Sequence, residues 1–128
     1  RLAQQHGAKI DWLDRVNNEK LPEIMANHKL YLIPSLLEGC PKSLLEALSS
    51  GMACIASNIN GNRDLIKNNA NGFLCGKSSE EIADTISYVS RYQNLDGIKA
   101  NARNLILTSY STENAVKQEI QLYESLLK

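Results

Sequence analysis

The 128-residue sequence predicts an α/β fold built on a parallel sheet and finished by a helical final third. Short apolar runs of strand length alternate with stretches of helical periodicity, Pro and Gly stand where helices should start and stop, and the final third carries no strand signal. Strands are expected over residues 9–13, 30–33, 53–56 and 72–75, and Trp12 is expected in the core of the first. Between them, helices are expected over 22–28, 41–50 and 63–67. Pro22 and Pro41 suit a first helical position, where a missing N–H costs nothing, and Gly51 suits the left-handed residue just past a helix end. The final third reads as helices over 79–92, 95–109 and 112–127. Ser78 with Glu81 three residues on forms a capping box, and Val116, Ile120, Tyr123 and Leu127 make one apolar stripe expected to pack on the chain's own core.

Composition narrows the function. Lys and Arg number 14 against 14 Asp and Glu, so no basic excess suits the chain to a phosphate backbone, and no nucleic-acid partner is expected. Aromatic residues are 5 % of the chain, which offers little for a stacking platform. Cys40, Cys54 and Cys75 are odd in number and lack C-x-x-C spacing, which argues against a disulfide framework or a zinc site and for a reducing cytoplasm. No apolar run approaches the ~18 residues of a membrane span, and no signal segment opens the chain. No repeat, low-complexity tract or linker divides the sequence. The opening Arg1, followed by the helix-like Leu2-Ala3-Gln4-Gln5-His6, reads as entry in mid-element, so residues 1–128 are expected to be one partial domain of a longer protein.

The chemistry concentrates between Tyr31 and Gly51. A buried strand ends near Pro34, a loop carrying Glu38 and Gly39 follows, and a helix begins near Pro41. In open parallel sheets, ligands sit beyond the carboxyl ends of the strands and face the helix starts. The first-turn N–H groups of Lys42, Ser43 and Leu44 are expected to lack intrahelical partners and to favour an anion such as a diphosphate. Glu46 stands four residues further in, roughly 6 Å along the axis at ~1.5 Å per residue. A carboxylate there can accept hydrogen bonds from two vicinal hydroxyls, as on a ribose, while Glu38 meets the sugar at the other end of the diphosphate. Plainer readings exist for each residue. Glu38 and Glu46 can be solvated acids, Lys42 a solvated first-turn residue, Ser43 a partner for local backbone, and Cys40 a small packing residue. His6 and His28 suit helix ends.

The surroundings of the two acids are more specific than their spacing. Pro34-Ser35, Glu38-Gly39, Pro41, Leu45-Glu46-Ala47, Gly51, the run from Ala53 to Ser57, Gly61, and Asn71-Gly72-Phe73-Leu74 keep the order and spacing of the retaining glycosyltransferases of family 4. The sequence resembles the C-terminal, donor-binding domain of such a GT-B enzyme, from about Lys9 to the last helix and most densely from Tyr31 to Cys75.

The resemblance implies a partial Rossmann-like parallel sheet, an incomplete GT-B C-terminal domain. It implies that Glu38 faces the transferred sugar near the reacting centre. The backbone around Gly39, Cys40, Lys42 and Ser43 would contact sugar hydroxyls and the distal phosphate, Glu46 would hold the ribose, and Val16 would lie beside the base. The implied substrate is a nucleotide-diphosphate sugar. The implied acceptor is a glycan or lipid-linked molecule bound mainly by a separate N-terminal domain. No metal or other cofactor is expected, and no Asp-x-Asp motif is present. A cytoplasmic location is implied, with peripheral contact to the cytoplasmic face of the membrane open to the full enzyme.

The chain departs from the family pattern in three places. The Arg and Lys that neutralise the diphosphate belong upstream of Arg1, Asp14 replaces a usual glycine, and the acid commonly found after Gly61 appears as Asp64. Two middle strands of the family's sheet are missing, so the 9–13 strand is expected either to close against the 30–33 strand or to stand apart from the sheet. The isolated chain is expected to have little or no transferase activity. Two other readings compete: a catalytically silent nucleotide-sugar-binding module, and a flavodoxin-like interaction domain, which lacks support because the strand ends Ile33-Pro34 and Ala56-Ser57 carry no clustered carboxylates.

Overall fold

The apolar runs Leu-Tyr-Leu-Ile, Ala-Cys-Ile-Ala-Ser and Phe-Leu-Cys form three parallel strands, β1 (Leu30–Ile33), β2 (Ala53–Ser57) and β3 (Phe73–Cys75), in the order β1-β2-β3. The computed structural model describes residues 5–127, so the Leu2-Ala3-Gln4 part of the expected opening helix lies outside the described residues. Ala56 pairs with Ile33 on one side and Leu74 on the other, and every residue of β2 is buried. A continuous apolar strand covered on both faces is the usual centre of a parallel sheet.

Among the described residues the fold is completed by the helices α1 (Leu21–Ala26), preceded by a 3-10 turn at Asn18–Lys20, α2 (Lys42–Ser49), α3 (Asn60–Leu65), α4 (Ser79–Ser90), α5 (Leu95–Ser109) and α6 (Thr112–Leu126). Leu44, Ala47 and Leu48 of α2 pack with Met25, Ile33, Cys54, Ala102 and Ile106 in one core. Ile55, Phe73, Cys75, Val89 and Ile98 form a second. Since side chains alternate along a strand, Cys54 and Ile55 serve opposite faces, and the sheet separates the two cores.

The helix signals are met closely. Gly51 adopts φ +72° just past α2, and Ser78 and Glu81 form the reciprocal capping box at the start of α4. His28 Nδ1 donates to the Ile24 carbonyl at 2.7 Å, close after α1. Pro41 caps α2 with extended backbone, φ −74° and ψ 93°, so the first helical residue is Lys42.

Four expectations need correction. Residues 9–13 form no strand: Ile10 and Leu13 are exposed, and Trp12 is 88 % exposed. A period-two pattern becomes a strand only beside a hydrogen-bonded neighbour, and among the described residues none pairs with this segment. The helix expected over 63–67 begins earlier, at Asn60, because Gly61 and Asn62 are drawn into the interior. The apolar stripe of α6 covers no core, since no residue of α6 is buried and Ile120 is 50 % exposed. That helix is tied to α5 near its own start, where Asn114 Nδ2 donates to the Thr108 carbonyl at 2.6 Å. Cys40, read as a packing residue, is exposed.

Candidate functional site

The loop between β1 and α2 lies beyond the carboxyl end of β1. It descends through Pro34 and Ser35 to half-buried Glu38, passes exposed Gly39 and Cys40, and enters α2 through buried Pro41. Ser35 Oγ donates a 2.6 Å hydrogen bond to Glu38 Oε1. Ser57, the last residue of β2, donates its hydroxyl to the Ser35 carbonyl. Asn62 on α3 donates in turn to the Ser57 carbonyl at 2.9 Å and to its hydroxyl at 3.2 Å. Gly61 lies beneath the loop: a Cβ there would stand 2.9 Å from the carbonyl carbon of Glu38 and would strike the carbonyl oxygens of Glu38 and Gly39.

Pro41 shapes the start of α2. Its carbonyl accepts from the amides of Leu44 at 3.0 Å and Leu45 at 3.2 Å, so the Leu44 amide, expected to be free, is occupied, and the Leu44 side chain is fully buried. Pro41 has no N–H of its own. The free first-turn donors therefore reduce to the amides of Lys42 and Ser43, which have no protein acceptor among the described residues. Two amides at the positive end of an eight-residue helix suit an anion.

Glu46 sits one turn in, with its side chain 32 % exposed, and Lys42 Nζ stands 3.9 Å from its Oε1. With Lys42 itself 78 % exposed, this i, i+4 pair adds little stability and leaves the carboxylate able to accept from a ligand. A cleft of about 450 Å³ lies against Glu46 and Lys42 on one side and Asn18, Leu21 and Pro22 on the other. Asn18 also lines a second hollow of about 400 Å³ with Val16, which is half-buried. Asn18 lines both spaces, one with Glu46 and the other with Val16.

Tyr31 on β1 joins the acids into one neighbourhood. Burial raises its phenol above the ordinary value of 10.0, and the nearby carboxylates of Glu46 and Glu38 raise it further. Neither Tyr31 nor Asn62 is marked by a sequence signal. Tyr31 looks like an ordinary strand aromatic, and a lone Asn in a polar turn has no periodicity to mark it. Among the described residues no three His, Cys, Asp or Glu side chains converge in the way a metal ion requires. A larger cavity, about 710 Å³, lies elsewhere, around Tyr88 and Tyr92 at the end of α4.

Residues 1–114 match the family model described as glycosyl transferases group 1. The chain belongs to this family. Over 104 residues it is 35 % identical to the UDP-Gal:alpha-D-GlcNAc-diphosphoundecaprenol alpha-1,3-galactosyltransferase of Escherichia coli, covering 80 % of this chain and 27 % of that one. Sucrose-phosphate synthase from Thermosynechococcus elongatus superposes with a TM-score of 0.89 at 20 % identity, over 98 % of this chain and 33 % of the other. Anabaena HepE in complex with UDP-glucose superposes at 0.76 and 24 % identity, over 82 % of this chain and 30 % of the other. The α/β architecture of this group 1 domain is therefore that of GT-B glycosyltransferase C-terminal domains. The chain spans about a quarter of the Escherichia coli relative's length. No helix among the described residues of the group 1 domain is long and apolar enough to cross a membrane.

Proposed function

We propose that this chain is the donor-binding part of a retaining, family 4 glycosyltransferase, which moves a sugar from a nucleotide-diphosphate sugar to a glycan or lipid-linked acceptor. The observation that carries the reading is the start of α2, where the free amides of Lys42 and Ser43 lie between half-buried Glu38 and half-buried Glu46. The diphosphate rests against those amides. Glu46 accepts from the ribose hydroxyls, the base runs along the cleft past Asn18 toward Val16, and Glu38 with the Gly39 and Cys40 backbone faces the sugar. Leu44 supports the turn from beneath through its buried side chain rather than through its amide.

The transfer is a same-face substitution. The bond between the anomeric carbon and the diphosphate oxygen breaks as the acceptor oxygen bonds to the same face, and the acceptor proton passes to the departing phosphate. Preorganised amides and the helix end stabilise the growing negative charge, with no metal required. The Escherichia coli relative is named for UDP-Gal, and HepE holds UDP-glucose, which supports a uridine diphosphate donor.

The isolated 128 residues have little or no transferase activity in this reading, because transfer requires donor and acceptor to be held together in a cleft between domains. The test is a transfer assay on the full-length protein with UDP- and GDP-sugars, comparing wild type with Glu38→Gln. Turnover that falls at least about a hundredfold in the variant, with donor binding kept, supports the assignment. Tight donor binding by the wild type without turnover on any acceptor would instead favour a silent binding module.

A further inference from the structure

Four polar groups behind the loop are connected in one direction. Asn62, fully buried, donates to both oxygens of Ser57, Ser57 donates to the Ser35 carbonyl, and Ser35 donates at 2.6 Å to Glu38 Oε1. Ser57 is 1 % exposed, so neither it nor Asn62 reaches the space in front of the loop. We infer that Ser35, Ser57 and Asn62 are positioning residues that hold the Glu38 carboxylate at the transferred sugar, with Ser35 as the clamp. The inference rests on the reading that Glu38 faces that sugar.

Ser35 is gripped at two points. Its carbonyl is tied to the end of β2, which fixes the backbone, while its hydroxyl fixes the acid three residues on. Each hydroxyl has its proton committed: the Asn62–Ser57–Ser35 carbonyl bonds run in series, where such bonds strengthen one another, and Ser35 passes the constraint to Glu38 mechanically, from its fixed backbone to its own hydroxyl. Gly61 closes the arrangement from below, since the carbonyls of Glu38 and Gly39 occupy the space of its missing Cβ. Asn62 Oδ1 is buried without a hydrogen-bond partner, a cost that native structures accept where a site gains from it. A carboxylate held this way keeps its orientation to the reacting carbon before the sugar arrives, and small misplacements of such groups cost turnover steeply.

The experiment measures kcat and donor KM of the full-length transferase carrying Ser35→Ala, Ser35→Thr, Ser57→Ala or Glu38→Ala. Ser35→Ala is expected to lower kcat by about ten- to a hundredfold while donor KM moves less than about threefold. Ser35→Thr, which keeps the hydroxyl, restores most of the turnover, and Ser57→Ala lowers kcat in the same direction by less. Thermal melting of each variant separates these losses from unfolding. A kcat for Ser35→Ala within threefold of wild type, or an equal loss with Ser35→Thr, overturns the clamp while leaving the role of Glu38 intact. Full transfer by Glu38→Ala overturns the role of Glu38 and the clamp with it.

Discussion

Gly61 lies directly beneath Glu38: a Cβ on the glycine would stand 2.9 Å from the acid's carbonyl carbon. The obstructing atoms are backbone, which cannot swing aside as the end of a side chain can. Gly61→Ala must therefore push the Glu38 loop off the end of the sheet or distort α3. Forced overpacking of this kind costs about 1–3 kcal/mol. Urea denaturation of the variant should show that loss, and UDP titration should show weakened binding, because the displaced loop leads into α2.

The three thiols should separate cleanly. Burial pushes Cys54 up to about 12 and raises Cys75 as well, whereas Cys40 is exposed in the loop before α2. Thiolate is the reactive form. At neutral pH a thiol reagent should therefore label Cys40 rapidly in the folded protein and reach Cys54 and Cys75 only on unfolding. UDP should slow the labelling of Cys40, since a bound diphosphate covers the adjoining helix start. Equal labelling with and without bound UDP would place the nucleotide elsewhere.

How far the sequence told of this fold depends on whether a feature is local. Gly51 and the Ser78–Glu81 pair mark helix ends through short-range backbone chemistry and the structure keeps both signals, while Pro41 marks the start of α2 from one residue outside it, as its cap rather than its first residue. The run from Ala53 to Ser57 is apolar enough to announce a buried central strand. Trp12 misled because alternation around it resembles a strand, yet strand formation is decided by a partner distant in sequence. The α6 stripe misled similarly: periodicity shows that a face is apolar but not that this chain covers it. In the site, the loop and helix start around Glu38 and Glu46 were legible from their neighbours in sequence. The support from Asn62 and the proximity of Tyr31 were not, because both depend on how β1, β2 and α3 come together.

Acid should loosen the start of α4 first. The Ser78 backbone N–H, its hydroxyl and the Lys77 N–H all donate to Glu81 and hold its carboxyl below the usual 4.5. A carboxyl lowered by folding adds stability that is fully present above its unfolded value and is lost as pH falls through the folded one. The contribution should therefore be intact at neutral pH and disappear below about pH 4.5. Glu81→Gln should be less stable than wild type at pH 7 and approach it at pH 3, as read by urea midpoints. Ser78→Ala, which removes the cap hydroxyl, should cost about 1 kcal/mol at neutral pH.

The most direct test of the account is calorimetric titration of UDP into the full-length protein and its Glu46→Ala variant. Glu46 is half-buried beside the free amides of Lys42 and Ser43, and its removal deletes the acceptor assigned to the ribose while sparing the core beneath α2. The prediction is saturable 1:1 binding by wild type, weakened about tenfold or more in the variant with its melting temperature unchanged. Unaltered UDP affinity in Glu46→Ala, or no UDP or GDP binding by the folded wild type, would contradict the claim that a nucleotide diphosphate is held at the start of α2.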